Sequence, residues 1–186
     1  MPFTSTDIPG LLVFEPRVFN DSRGYFYESY NERLFREAGV DANFVQDNVS
    51  SSQYGVIRGL HYQLNPFAQA KLVRVLEGRI LDVVVDIRRG SPAYGKSFSL
   101  ELTADNRKQL YIPAGFAHGF SVLSDKAVVF YKCSNFYNKE SEAGIRFDDP
   151  DLKIDWQIPT ANAIISDKDQ ALPLFSKCSN NFDFKH

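Results

Sequence analysis

The sequence predicts an all-β fold, an antiparallel sandwich or barrel, and two observations carry that prediction. Short runs of β-branched and aromatic residues recur between turn signals from residue 11 to residue 137, the pattern of strands that bury one face. Against them stands a single clear early helical pattern, NERLFREAG at 31–39.

The elements follow in order. LLVFEPRVF (11–19), GYFYESY (24–30), NFVQDNVSS (43–51), GVIRGLHYQ (55–63) and KLVRVLEG (71–78) read as strands. So do RILDVVVDIR (79–88), GKSFSLELT (95–103), QLYIPAG (109–115), HGFSVLS (118–124) and AVVFYKCSNFY (127–137). Gly78 supplies the positive φ of a tight turn, so the strands on either side of it are expected to pair as a hairpin. In the helix, Asn31 can cap the first turn, Leu34, Phe35 and Ala38 form an apolar stripe, and Gly39 can end it. Beyond about residue 140 the texture changes to FDDPDLKIDWQIP and a polar, proline-bearing tail, with short turns or one short helix expected near SDKDQALPLF (166–175). No internal repeat or flexible linker interrupts the chain. One domain is therefore expected over 1–186, with a core at about 40–140 and the N-terminal strands and C-terminal tail packed on it.

Composition excludes several function classes. A chain of this length can bury roughly 70% of its unfolded surface in one core. The net charge of −2 offers no electrostatic footprint for nucleic acid or an anionic membrane, so neither is an expected partner. MPFTSTDIPG has neither a basic region nor an apolar core, and no run approaches the roughly 18 apolar residues of a membrane span. A cytoplasmic location is the expectation. Cys133 and Cys178 lie far apart without CxxC or CxxH spacing and read as reduced thiols.

IPAGFAHGF (112–120) has the P-x-G-x-x-H spacing found in cupin barrels, where the turn aims the histidine into the barrel. Metal-binding cupins add an H-x-H pair and a nearby glutamate. Here His61-Tyr62-Gln63 replaces that pair, no glutamate stands at the right distance, and Lys71 would repel a divalent cation. The expectation is a barrel without metal or other cofactor. The remaining inventory fits proton transfer: the His61 imidazole can act as base, a tyrosine can act as acid, and a lysine or arginine can stabilise an oxyanion. Alternation sets Ile57, Gly59 and His61 on one strand face and Arg58, Leu60 and Tyr62 on the other, unless a bulge at Gly59 re-aims one of them. Each residue taken singly has an ordinary structural role. His61 or His118 alone would be a hydrogen-bonded strand histidine, Tyr131 and Tyr137 aromatics sharing a strand face, Lys71 a solvated lysine, and Asp169 a cap or turn residue.

Together, DSRGYFYE, FVQDNVSSS, GVIRGLHYQ, AKLVRVLEGRILDVVVDIRRGSP, LYIPAGFAHGF, VFYKCSNFYN, DPDLKIDW and ISDKD closely resemble the dTDP-4-dehydrorhamnose 3,5-epimerase family, over about residues 7–175. The resemblance implies a cupin-type jelly roll, a homodimer, and a cofactor-independent epimerase acting on a dTDP-linked 4-keto-6-deoxyhexose. It implies His61 as the base, Asp169 as the carboxylate that orients the imidazole, Tyr131 as the acid, and Lys71 near the C4 oxygen. Arg23, Arg58 and Lys168 are similar to the cations that hold or flank the diphosphate. Gln46, Asn48, Glu28, His118 and Glu142 correspond to further nucleotide-sugar contacts, and Tyr137 to the aromatic that stacks on thymine. Arg23 and Phe26 fall in the segment that, in this family, reaches the neighbouring subunit's site. The motifs leave open an enzyme that inverts C3 alone or C5 alone. Outside that class the rivals are a non-catalytic sugar-binding jelly roll and a metal-dependent cupin oxygenase.

Overall fold

Alternating apolar residues build two antiparallel sheets that close on each other in a computed structural model describing residues 2–184. In chain order the elements are β1 (Phe3–Ser5), β2 (Leu12–Phe14), β3 (Val18–Asp21), β4 (Gly24–Tyr27), α1 (Glu32–Glu37), β5 (Gln46–Gln53), β6 (Ile57–Gln63) and β7 (Lys71–Glu77). There follow β8 (Arg79–Asp86), β9 (Ser97–Thr103), β10 (Gln109–Ile112), β11 (Phe116–Val122), β12 (Lys126–Cys133), β13 (Glu142–Gly144) and α2 (Asp167–Gln170). One sheet has the order β1-β2-β10-β7-β12-β5, the other β13-β6-β11-β8-β9, and β3 and β4 form a separate ribbon. The architecture is the expected jelly roll.

Three apolar clusters hold the layers. Between the sheets lie Val73, Val75, Ile80, Val84, Leu102, Leu110, Phe120, Val122 and Val129. The outer face of the five-stranded sheet, with Leu60, Tyr62, Leu81, Val83 and Val85, is covered by the C-terminal segment through Ile145, Leu152, Trp156 and Phe182. On the outer face of the other sheet, Leu72 and Tyr111 pack with Phe14 and the helical Phe35. Coverage on both faces explains why β8 is mostly apolar rather than alternating and why every residue of β11 is buried. Helix α1 forms as its sequence dictates: the Asn31 side chain accepts from the Leu34 backbone N–H, and Phe35 is buried. Gly39 follows the helix in the left-handed region at φ +86°.

Four expectations about elements need correction. The strands flanking Gly78 do not pair: β7 bonds to β10 and β12, whereas β8 bonds to β11 and β9. Gly78, at φ +78°, instead turns the chain from one sheet into the other. The turn chemistry is the same in either case, and only burial of both strands between layers decides it. The run 11–19 breaks into β2 and β3 around Pro16, which has no N–H for a ladder. Strand β12 ends at Cys133, so Tyr137 does not share a strand face with Tyr131. The short strands β1 and β13 were not expected. Among the described residues, no helix is long and apolar enough to cross a membrane.

Candidate active site

Toward one end of the space between the sheets, inward-facing residues change from apolar to polar. On β12 the inward series runs Ala127, Val129, Tyr131, and on β7 it runs Val75, Val73, Lys71, apolar until the last member of each. A cavity of about 450 Å³ opens there, lined by Gln46, Asn48, His61, Gln63, Gln69, Lys71, Tyr131, Tyr137 and Glu142, among others. It is continued by a recess of about 130 Å³ lined by Ser50, Arg58, His61, Lys71, His118, Gly119, Phe120 and Tyr131. His61, Lys71 and Tyr131 border both. His61 comes from the five-stranded sheet and Tyr131 from the six-stranded one, so imidazole and phenol enter from opposite walls. The Lys71 Nζ lies 6.0 Å from the centre of the Tyr131 ring.

A bulge brings Arg58 to the same cavity as His61. His118 pairs with His61, but Phe120 pairs with Arg58, so β6 carries an extra residue across from Gly119. Gly59 absorbs it at φ +117°, and a Cβ there would sit 2.5 Å from the Gly119 Cα. Only glycine fits. Ile57, Leu60 and Tyr62 consequently join the outer cluster, while Arg58 and His61 line the recess.

Two histidines stand in register on β6 and β11, each paired with an aspartate from another element. Asp169, on α2, meets the His61 Nε2 through Oδ1 at 2.8 Å, while its Oδ2 accepts the Gly59 backbone N–H at 3.1 Å. The Ser166 hydroxyl caps this short helix and accepts the Asp169 N–H. Burial alone would raise the Asp169 carboxyl; the hydrogen bond and charge of His61, with the Gly59 N–H, outweigh it and hold the pKa below the usual carboxylate value. His118 Nε2 lies 2.7 Å from Asp82 Oδ1, and burial pushes the His118 pKa down despite that partner. Burial likewise raises the Tyr131 phenol, so it stays protonated at neutral pH. It lowers the Lys71 ammonium, an effect that Cys133 and Asp82 oppose.

At the rim, Glu142 accepts from the Lys168 Nζ at 2.6 Å and from the Tyr137 hydroxyl at 3.1 Å. The Gln46 side chain accepts the Tyr137 N–H and donates to Asn48. Among the described residues, no group of three or more His, Cys, Asp or Glu is arranged to hold a metal ion.

The family profile for dTDP-4-dehydrorhamnose 3,5-epimerase matches residues 5–177. The chain belongs to that family. It is 54% identical over 170 residues to the dTDP-4-dehydrorhamnose 3,5-epimerase of Shigella flexneri, covering 91% of this chain and 93% of the relative. It superimposes on the crystal structure of the Elizabethkingia anophelis enzyme of that name with a TM-score of 0.91 and 55% identity, over 94% and 96% of the two chains. A Legionella pneumophila dTDP-6-deoxy-D-glucose-3,5-epimerase, solved in complex with dTDP-4-keto-L-rhamnose, gives 0.90 and 46% over 94% and 93%.

The 3,5-epimerase motifs thus fold into one cavity for most of the residues singled out: His61, Lys71, Tyr131, Gln46, Asn48, Tyr137, Glu142, Arg58 and His118 border it, with Asp169 bonded behind His61 and Lys168 bonded at the rim. Arg58 lies in the recess, whereas Lys168 stands at the rim with Glu142, so the supposed diphosphate cations are spread out. Arg23, Phe26 and Glu28 do not border the cavity. Phe26 and Glu28 line a separate groove with Phe14, Arg17 and Phe19, and Arg23 is ion-paired to Asp21 on the exposed ribbon. Sequence reasoning missed Asp82, an isolated acid within LDVVVD, and the serines of DNVSSS, whose alternation with Gln46 and Asn48 could have placed Ser50 and Ser52 inward.

Proposed function

We propose that this chain inverts C3 and C5 of dTDP-4-dehydro-6-deoxy-D-glucose to give dTDP-4-dehydro-L-rhamnose, without a cofactor. The observation that carries the reading is His61 and Tyr131 on opposite walls of one cavity, with Lys71 bordering it. Both C–H bonds are alpha to the C4 ketone, so loss of either proton gives an enolate with charge on the C4 oxygen. Ionised Asp169 accepts the Nε2 proton of His61, which leaves the lone pair of the neutral imidazole on Nδ1 to take the substrate proton. The same carboxylate then stabilises the imidazolium. The Lys71 ammonium favours the enolate over the neutral ketone, the differential that catalysis requires. Tyr131 returns a proton to the opposite face, and solvent exchange resets both groups.

Tyr137 stacks on thymine, and Gln46, Asn48, Glu142 and Lys168 hold the nucleotide at the rim. Arg58 and His118 flank the sugar end. A homodimer completes each site with the partner's Arg23, Phe26 and Glu28; the reading is supported by a ribbon that is not part of its own chain's cavity and leaves Phe26 70% exposed.

Turnover in heavy water tests the chemistry. Deuterium at both C3 and C5, with both centres inverted, is expected. Label at one carbon would make it a mono-epimerase, and label at neither would leave a binding protein. Mixing subunits tests the dimer: His61→Ala and an Arg23→Ala/Phe26→Ala double variant, each inactive alone, should regain about a quarter of wild-type turnover when reassorted as two-fold dimers. No recovery would refute the shared site.

A further inference from the structure

The inward face of β5 forms a polar ladder. Gln46, Asn48, Ser50 and Ser52 point toward the cavity side, while Asp47, Val49, Ser51 and Gln53 are exposed. Three of the four rungs are engaged within the chain. Gln46 bonds Asn48 and the Tyr137 N–H, Asn48 donates to the Cys133 sulfur, and Ser52 accepts from the Arg58 Nε at 3.0 Å. Ser50 is the exception: its hydroxyl oxygen is buried and has no hydrogen-bond partner in the protein. Among the described residues, three other side-chain atoms share that condition, belonging to Arg74, Asp82 and Arg107, and none of those residues borders the recess. Ser50 does, beside Arg58, His61, Lys71, His118 and Tyr131.

A buried hydroxyl without a partner costs free energy, and native interiors keep few of them. One that faces a polar recess is accounted for when a ligand group completes it. At about 3.4 Å per residue, Ser50 stands roughly 14 Å along the strand from Gln46. Gln46 sits beside Tyr137 at the mouth, so β5 runs from the nucleotide end of the cavity to its sugar end.

We propose that the Ser50 hydroxyl hydrogen-bonds a ring hydroxyl of the bound hexose and orients the sugar between His61 and Tyr131. This rests on the nucleotide-sugar reading above and adds a determinant of sugar pose to it. Which C–H bond faces the imidazole depends on that pose, so Ser50 also influences the balance of exchange between C3 and C5.

The test measures dTDP and dTDP-glucose affinities for the wild-type protein, Ser50→Ala, and Ser51→Ala, a control on the exposed side of the same strand. Ser50→Ala should weaken dTDP-glucose by about 5- to 30-fold, as expected for a buried hydroxyl left unpaired, and leave dTDP itself unchanged. It should also alter the ratio of C3 to C5 deuterium incorporation, while Ser51→Ala changes neither. Equal weakening of dTDP and dTDP-glucose would mark a structural effect and overturn the proposal, as would an unchanged affinity for both. A wild-type protein that binds neither compound would instead overturn the nucleotide-sugar reading itself.

Discussion

The two histidine–aspartate pairs share the same chemistry, and their histidines stand on adjacent, register-paired strands, yet their surroundings differ. The His61 side chain keeps 33% of its exposure and opens on the cavity, and both oxygens of Asp169 are engaged. The His118 side chain keeps only 7%, Asp82 none, and one Asp82 oxygen has no partner in the protein. A base must hold a charged form in mid-reaction, which a partly solvated imidazole with a fully bonded carboxylate can do and a desolvated one resists. Exposure and carboxylate satisfaction, rather than the His–Asp contact, separate a proton acceptor from a neutral hydrogen-bonding wall.

The sharpest way to break this distinction is to remove the proton acceptor itself. His61→Ala should lower C3 and C5 exchange by about 10³- to 10⁴-fold, the upper part of what general bases contribute, with dTDP affinity retained; exchange that survives would move the base elsewhere. Lys71→Ala comes next, at about 10²- to 10³-fold in kcat if it acts as an oxyanion donor. Because burial lowers the Lys71 pKa, the charged form persists only to a pH below the ordinary lysine value. Turnover should therefore decline on the alkaline side earlier than a free lysine would predict, and a flat profile up to the ordinary lysine range would remove Lys71 from the chemistry.

The carboxylates sharpen the contrast at lower amplitude. Asp169→Asn removes a charge-assisted hydrogen bond of about 1.5–3 kcal/mol, so a loss of roughly 10- to 150-fold in kcat is expected. Asp82→Asn should cost only about threefold while moving the alkaline limb to lower pH, since Asp82 supports the Lys71 ammonium. Equal losses in the two variants would erase the distinction. Stability against acid gives the smallest signal. Asp169 has a folded pKa below its unfolded value, so its contribution is complete above the unfolded pKa and is lost as pH falls through the folded one. Denaturation midpoints followed downward from about pH 5 should fall more steeply for the wild type than for Asp169→Asn.

Much of this was legible along the chain. Strand runs and the capped helix stand out because alternation, capping and turn chemistry act over a few residues, whereas His61, Lys71 and Tyr131 stand out together only through the family resemblance. The Gly78 turn was legible as a turn but not as a change of sheet, because its φ serves either outcome. Tyr137 lies beyond the strand of Tyr131 because β12 ends at Cys133, where Ser134 and Asn135 bend the chain, a weak turn signal inside an otherwise strand-like run.

Residue types and their periodicity determined the all-β class, and the motifs carried the family resemblance that implied the proton-transfer groups. The folded chain alone decided that Arg58 swings beside His61 through the Gly59 bulge, that Asp82 stands behind His118, and that Ser50 faces the recess without a partner. The reason is range: a strand's pattern is set by its neighbours in sequence, whereas His61 meets its carboxylate across 108 residues, and only packing of distant segments brings such groups together.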